Sequence, residues 1–187
     1  MIKKEELKEA KYIYRTGIMR DFPIAERIPY SRFKRAVKNK IMKTYSYIID
    51  GKRYGYIVTI EEDGVVFISY LAIEKDYRNQ GYGTKMLKEL YEYFKNRKYI
   101  IIEADSPIGI KNKKELDIIN RRKEFYFRNG FNEVSDIDYK IFGVRYDILV
   151  YKLNCKEVTS KNAAEMTKKM YSKITYNMRF FHIEATN

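Results

Sequence analysis

Residues 65–84 read VVFISYLAIEKDYRNQGYGT, and their order restricts the fold of the chain more than any other segment. An apolar, β-branched run predicts a strand, a polar turn follows, and Gly81 and Gly83 lead into a helix with one apolar face. A second apolar strand is predicted at residues 99–105. A strand, a crossover helix and a second strand in this order predict two parallel, adjacent strands.

The turn between the first strand and the helix has the spacing Arg78-x-x-Gly81-x-Gly83. Such a junction is predicted to leave several backbone N–H groups unpaired at a helix N-terminus, where they bind phosphate. The alternative is a tight turn that binds no ligand. The turn is not a P-loop, because no Gly-Lys-Ser/Thr follows, and Met86 stands where a dinucleotide fingerprint has its third glycine.

The other segments alternate between helix and strand patterns. Helical spacing predicts helices over residues 3–20, 31–38 and 114–129. Strand patterns lie at residues 43–49, 54–60, 65–73, 99–105, 131–134 and 146–153. The first three form an antiparallel meander through two Asp-Gly turns. The sequence therefore predicts an α/β (α+β) fold, with a mixed, largely antiparallel sheet of about six to seven strands flanked by helices.

Length and composition favour one domain in a reducing compartment. The chain has 187 residues and a single cysteine, Cys155, so no internal disulfide can form. Neither a signal peptide nor a membrane span is predicted, and we expect a cytoplasmic protein without a membrane partner. The net charge of +13 favours phosphate-bearing or acidic partners, but the basic residues are spread along the chain and argue weakly for nucleic acid.

Residues 156–187 form a tail with a different pattern. Apolar residues recur there at spacings of three and four and predict an amphipathic helix: Ala163, Met166, Met170, Ile174, Met178 and Phe181. We expect one domain over residues 1–155 and a helical tail that packs on it, with a contact to a partner or a homodimer as the alternative. His182 is the only histidine and lies in this tail, so no metal site is expected.

Three local signatures together resemble the GNAT superfamily of N-acetyltransferases. They are LAI at residues 71–73, RNQGYG at residues 78–83 and FYFRNGF at residues 125–131. The resemblance covers roughly residues 1–153 and implies binding of acetyl-coenzyme A between two splayed parallel strands. It places the pantetheine arm on backbone groups of Leu71, Ala72 and Ile73. It places the pyrophosphate on backbone N–H groups of Asn79, Gln80, Gly81, Tyr82, Gly83 and Thr84, with Arg78 opening the motif.

The resemblance also suggests residues for acid and base catalysis. Tyr126 matches the tyrosine that protonates the departing coenzyme A sulfur, and its alternative role is packing of an aromatic helix face. Glu103 on the strand YIIIEAD is the candidate base, and the alternative is an ion pair with a nearby Lys or Arg. Four basic residues of the following helix are candidates for the 3′-phosphate or form a solvated face: Arg121, Arg122, Lys123 and Arg128.

Two departures from the family pattern limit these assignments. Phe67 stands where histone-type members have their general-base glutamate, and Ile119 stands where the family has an asparagine. Catalysis of the histone type is therefore not expected.

The resemblance implies an N-acetyltransferase that moves an acetyl group from acetyl-coenzyme A to a primary amine by direct attack in a ternary complex, without a metal. The acceptor pocket is expected at the first two helices, the loop at residues 21–30 and the final strands. Glu26, Glu61 and Glu62 could attract a cationic amine. The alternative is a non-catalytic module that binds coenzyme A, or a basic module that binds RNA. An intermediate version of the latter is an acetyltransferase toxin directed at tRNA.

Overall fold

The computed structural model describes residues 1–141, 143–174 and 181–186. Its internal contacts divide the chain into two compact units. The first unit comprises Met1–Glu61 with Ile68–Lys95, and the second comprises Glu62–Phe67 with Asn96–Asn187. Among the residues that the structure describes, none of the helices qualifies as a candidate membrane span.

Nine strands form one open, mixed sheet that is largely antiparallel, with β4 and β5 as its parallel pair. The strands are β1 Ile2–Glu5, β2 Met42–Ile49, β3 Lys52–Glu62, β4 Val65–Ile73, β5 Tyr99–Asp105, β6 Asn132–Glu133, β7 Ile137–Ile141, β8 Val144–Lys152 and β9 Phe181–Ala185. Their order is β1-β2-β3-β4-β5-β8-β7-β9, and β6 pairs with β8. The predicted fold class is confirmed, although the predicted strands lacked β1, β7 and β9.

The helices follow the predicted segments closely. They are α1 Leu7–Ile13, α2 Met19–Asp21, α3 Tyr30–Lys38, α4 Tyr82–Tyr93, α5 Lys113–Arg128 and α6 Ser160–Ile174, with a π-helical turn over Tyr14–Ile18 between α1 and α2. The predicted start of the first helix at residue 3 is wrong, because β1 occupies residues 2–5 and pairs antiparallel with β2.

The first unit packs the helical segment of residues 7–21 against β3. Ala10, Ile13 and Ile18 are fully buried. At the closest approach a Cβ on Gly17 would lie 2.6 Å from a ring carbon of Tyr56. Glycine is therefore required there, because any side chain would push the helix away from the strand.

The second unit is organised around the antiparallel pair β5–β8, in which Glu103 lies opposite Ile148. Helix α6 buries Ala163, Met170 and Ile174, which confirms a helix with an apolar face over residues 160–174. The predicted helix also included Met178, which lies outside the described residues, and Phe181. That last assignment is wrong, because Phe181 begins strand β9, which pairs with β7.

Candidate functional site

The predicted phosphate-binding turn lies in the first unit, between β4 and α4. Gly81 precedes the helix with φ of +80°, a left-handed conformation that favours glycine, and Asn79 has φ of +60°. A Cβ added to Gly81 would meet no atom within 4 Å. Among the described residues, the N–H groups of residues 79–84 donate no backbone hydrogen bond. These donors and the open space above Gly81 fit an anionic group.

Arg78 is occupied by protein contacts. Its Nε donates to the Ile73 carbonyl at 2.9 Å, and its Nη2 donates to Asp21 at 2.6 Å. Burial alone would raise the pKa of Asp21, but hydrogen bonds from Arg20, Tyr56 and Arg78 outweigh it and hold the pKa below its usual value. The Arg78 guanidinium thus ties the turn to the end of β4 and to helix α2. Its predicted contact with coenzyme remains a prediction.

An aromatic cluster that the sequence analysis did not single out lies beside the turn. Tyr54 stacks on Tyr77 with ring centroids 4.1 Å apart, and Tyr82 lies 4.7 Å from Tyr54. Lys52 sits over the Tyr77 ring and Lys85 over the Tyr82 ring, each at 5.1 Å. The ammonium groups of Lys52 and Lys85 therefore lie beside the turn. The sequence signal was the position of Tyr77 directly before the motif and of Tyr82 between its two glycines.

The end of β4 presents alternate backbone groups to its two edges. The Glu74 N–H donates to a backbone carbonyl of β3, that of Tyr54. The Ala72 carbonyl also faces β3, where it lies next to Gly55. Because successive residues of a strand alternate, the backbone groups of Leu71 and Ile73 point away from β3. The Ile73 carbonyl already accepts a hydrogen bond from Nε of Arg78. The expected pantetheine contacts of Leu71, Ala72 and Ile73 remain a prediction.

The loop of residues 22–29, part of the predicted acceptor region, is fixed by two buried tyrosines of the first unit. Tyr14 donates to the Ile28 carbonyl at 2.6 Å. The Tyr70 hydroxyl accepts from the Ile28 N–H at 2.7 Å and donates to the Glu26 carbonyl at 3.0 Å. These three bonds hold the loop on both sides of residue 27, and its role as part of an acceptor pocket remains a prediction.

Two of the three acidic side chains expected to attract an amine already have cationic partners. Glu61 accepts from Lys43 at 2.8 Å and from Tyr45 at 2.7 Å, and its side chain is 5% exposed. Glu62 accepts from Lys173 at 2.8 Å. Their charge is therefore neutralised within the protein, and the structure gives no support to a role for them in attracting an amine.

In the second unit the carboxylate of Glu103 is bound at both oxygens by tyrosine hydroxyls. Tyr139 of β7 donates to Oε1, and Tyr171 of α6 donates to Oε2 at 2.7 Å. Tyr139 is fully buried, and the ring of Tyr171 packs edge-on against Phe67. Within the described residues Glu103 has no salt bridge, so the alternative of an ion pair with Lys or Arg is not observed.

The surroundings of Glu103 raise the pKa of its carboxyl group. Burial disfavours the charged form and raises the pKa, while the two tyrosine hydrogen bonds favour the anion and lower it. The result is a pKa of about 7. A carboxyl group with this pKa is divided between its two forms near neutral pH, which suits a general base.

Tyr126 lies at the C-terminal end of α5, in a helix cap formed by the FYFRNGF segment. The Phe131 N–H donates to the Tyr126 carbonyl at 3.1 Å, and the Gly130 N–H donates to the Phe127 carbonyl at 3.0 Å. This is the Schellman arrangement, which needs a left-handed residue after the helix, and Gly130 has φ of +87°. The Tyr126 and Phe131 rings complete it with a contact at 5.5 Å. The motif therefore fixes the position of Tyr126.

The Tyr126 side chain is 6% exposed, and burial raises the pKa of its hydroxyl to about 12, with Arg122 opposing this rise and Asp105 adding to it. Among the described residues its hydroxyl has no hydrogen-bond partner. The hydroxyl therefore remains protonated at neutral pH and has a proton to donate.

Two of the four basic side chains of α5 that were candidates for the 3′-phosphate are paired with carboxylates of the protein. Lys123 is buried and bonded to Glu133 at 2.7 Å and to Asp147 at 2.5 Å. Arg122 pairs with Asp105 at 2.8 Å. These contacts fix α5 against β5, β6 and β8. Two predicted phosphate ligands remain exposed: Arg121 and Arg128.

Replacing Lys123 by Met should lower the free energy of unfolding by about 3 kcal/mol, because it leaves the largely covered carboxylate of Asp147, which is 12% exposed, without this cation. Chemical denaturation at neutral pH measures the loss. Arg121→Met, an exposed substitution on the same helix, should change stability by less than about 0.5 kcal/mol. Equal effects of the two substitutions would contradict a structural role for Lys123.

The remaining single-residue candidates do not form a catalytic group. His182 lies 3.3 Å from Asp138 on the pair β7–β9, and Cys155 is a half-buried free thiol. In the part of the chain that the structure describes, no three His, Cys, Asp or Glu side chains are grouped to hold a metal ion.

Comparison with known proteins identifies the family. Residues 42–133 match the family model described as "Acetyltransferase (GNAT) domain". This match, the mixed sheet and the turn that opens α4 agree with one another. Residues 42–133 belong to the GNAT superfamily of acetyltransferases.

Two curated proteins are similar in sequence. YjbC of Bacillus subtilis, named as an acetyltransferase, is 28% identical over 119 residues, which cover 64% of this chain and 56% of YjbC. MJ1530 of Methanocaldococcus jannaschii, named as an uncharacterized N-acetyltransferase, is 34% identical over 88 residues, which cover 46% of this chain and 49% of MJ1530. The chain thus spans about half the length of the curated relatives it matches.

Solved structures share the fold at low sequence identity. A GNAT-family protein from Bacteroides thetaiotaomicron superposes with a TM-score of 0.77 at 17% identity, over 92% of this chain and 96% of that one. An aminoglycoside 6′-N-acetyltransferase solved with coenzyme A gives a TM-score of 0.56 at 12% identity, over 84% and 99% of the two chains. At these identities the likeness shows the fold alone.

Proposed function

We propose that this protein transfers an acetyl group from acetyl-coenzyme A to a primary amine. The observation that carries the proposal is the turn at residues 78–84, with free backbone donors and open space above Gly81, in a chain whose residues 42–133 belong to the GNAT superfamily. The aminoglycoside acetyltransferase of the same fold was solved with coenzyme A, which supports this donor.

The chain supplies groups for each part of the coenzyme. Backbone N–H groups of residues 79–84 would hold the pyrophosphate. The ammonium groups of Lys52 and Lys85, which lie over tyrosine rings of the turn region, would balance the negative charge of the pyrophosphate. Backbone groups of Leu71 and Ile73 would hold the pantetheine amides. The coenzyme supplies an activated acetyl thioester when it is bound.

Glu103 and Tyr126 then act on the protons of the reaction. The Glu103 carboxylate takes a proton from the acceptor ammonium, and the freed amine forms a C–N bond to the thioester carbonyl carbon as the C–S bond breaks. The Tyr126 hydroxyl donates its proton to the leaving sulfur. As the amide forms, its nitrogen loses a second proton, which restores the Tyr126 hydroxyl through water. Glu103 then releases its proton to water, so the products are an amide, a thiol and one proton.

Gly81→Ala should weaken binding of coenzyme A by about tenfold or more, because the added methyl group occupies the space predicted for the phosphates. Isothermal titration calorimetry measures the affinity. Gly51→Ala is the matched control, since Gly51 has φ of +74° and equally open surroundings in the β2–β3 turn. Both variants carry the same backbone strain, and only the first should lose affinity.

Thiol release from acetyl-coenzyme A, followed across a panel of primary amines, tests the proposed reaction. An amine-dependent release that yields an acetylated amine supports it. Tight coenzyme binding without turnover on any amine would favour a non-catalytic module. A steep loss of nucleic-acid binding with added salt, without coenzyme binding, would favour an RNA-binding module.

A further inference from the structure

The two tyrosines that bind Glu103 come from outside the segment that matches the family model, residues 42–133. We propose that Tyr139 and Tyr171 are positioning residues that hold the Glu103 carboxylate ready to accept a proton. Helix α6 is then a functional part of the acetyltransferase. This inference rests on the proposed function, because it concerns the proposed base.

The geometry restrains the carboxylate from two sides. One hydroxyl binds each oxygen, so rotation of the carboxylate would break at least one hydrogen bond. Both donors are themselves held, because Tyr139 is fully buried and the Tyr171 ring packs on Phe67 at 5.7 Å. Each carboxylate oxygen has a second lone pair, which remains able to accept a proton from an amine or a water molecule.

The protonation states support the same assignment. Burial and the nearby Glu103 carboxylate raise the pKa of both tyrosines well above the usual value, so both remain donors across the working range of an enzyme. Two donors stabilise the anionic carboxylate against the cost of its burial. Without them, burial would raise the pKa of Glu103 further.

The groups that face Glu103 or its tyrosine partners from the surrounding elements include no free cation within the described residues. Strand β4 contributes Phe67, and β8 contributes Ile148 opposite Glu103 and Tyr146 beside Tyr139. The neighbouring carboxylates are already paired: Asp105 with Arg122, and Asp147 with Lys123. The two hydroxyls are therefore the groups that tune Glu103.

Docking of α6 does not depend on the Tyr171 hydroxyl. The helix buries Ala163, Met170 and Ile174, and Lys169 binds Asp63 at 2.5 Å. Tyr171→Phe keeps the ring and removes only the hydroxyl, so the variant should fold. The effect of removing the Tyr171 hydroxyl on activity can therefore be separated from the effect of undocking helix α6.

The pH dependence of kcat/KM provides the first test. In Tyr171→Phe the Glu103 carboxylate loses one hydrogen-bond donor, which raises the pKa of Glu103. The acidic limb of the profile, where kcat/KM rises with pH, should therefore move to higher pH by about one unit. Tyr139→Phe removes the other donor and should move the limb in the same direction. Tyr99→Phe, a buried tyrosine four residues before Glu103 on β5, should leave the limb unchanged. A lower rate at every pH with an unmoved limb would overturn the proposal.

A second readout does not require activity. Carbon-13 NMR of protein labelled at the glutamate carboxyl carbons follows the titration of Glu103, whose signal is the one absent from Glu103→Gln. Its midpoint should rise by about one unit in Tyr171→Phe, and an unchanged midpoint would overturn the proposal. If no amine is acetylated, the acetyltransferase function fails, while this titration still decides whether the tyrosines tune Glu103.

Discussion

Replacing Glu103 by Gln should lower kcat/KM for acetylation of an amine by about 10²- to 10⁴-fold at pH values above its pKa. The amide has nearly the shape of the carboxyl group but cannot take a proton from the acceptor. In the wild type, the pKa of about 7 predicts that kcat/KM rises with pH and levels off once Glu103 is deprotonated. The variant should lack this rise.

The control for this substitution is Glu124→Gln, at an exposed position of helix α5 in the same unit. It should leave both the rate and the pH profile unchanged. A Glu103→Gln enzyme that keeps the wild-type rate and the same acidic limb would remove Glu103 as the base. Water or another group would then have to take the proton.

The same variant should show a characteristic change in stability with pH. Because the folded-state pKa of Glu103 lies above its unfolded value of about 4.3, the stabilisation that the group provides is present at low pH. It is lost as the pH rises through about 7. The free energy of unfolding of Glu103→Gln, relative to that of the wild type, should therefore increase between about pH 5 and about pH 9.

Tyr126→Phe should lower kcat by about 10²-fold, while KM for acetyl-coenzyme A changes little. The hydroxyl has a pKa of about 12, so it is protonated at neutral pH and can supply the proton that the leaving sulfur needs. The phenylalanine ring would keep the contact with Phe131 that completes the helix cap. Steady-state kinetics with a denaturation curve for each variant separates chemistry from folding.

Tyr151→Phe is the matched control, because its ring also packs against Phe131, at 5.7 Å, on strand β8. It should leave kcat within about twofold of wild type. If Tyr126→Phe and Tyr151→Phe have the same kcat, the Tyr126 hydroxyl has no part in the reaction and its role is packing.

The features predicted correctly from the sequence depend on local backbone preferences. The strand of residues 65–73 and the turn at Gly81 follow from apolar patterning and from a glycine with positive φ. The end of α5 at Asn129 and Gly130 follows in the same way, since a Schellman cap is formed within seven residues. These segments include most of the proposed coenzyme site.

The partners of Glu103 could not be predicted, because they depend on contacts between distant segments. Tyr139 lies 36 residues from Glu103 and Tyr171 lies 68 residues away. Strand β7 was not predicted, and nothing in a chain with 19 tyrosines distinguished these two. A charged residue on an apolar strand predicts a buried partner or a cleft, but it does not identify the partner.

Two other errors have the same origin. Apolar spacings of three and four continue to Phe181, yet the chain forms strand β9 there, because pairing with β7 outweighs the local pattern. Lys123 was expected either to meet phosphate or to lie on a solvated helix face, whereas it is buried and paired with Glu133 and Asp147. Neither burial nor strand pairing can be read from spacing on one element.

Acetyl transfer is tested most directly with radiolabelled acetyl-coenzyme A and a panel of primary amines, comparing the wild-type protein with the Glu103→Gln, Tyr126→Phe double variant. We predict labelled amide product with the wild type, release of one thiol for each amide formed, and a near-complete loss with the folded double variant. Coenzyme binding without labelled product from any amine would contradict the assignment of this chain as an N-acetyltransferase. Equal product from the wild type and the double variant would contradict the assigned catalytic residues.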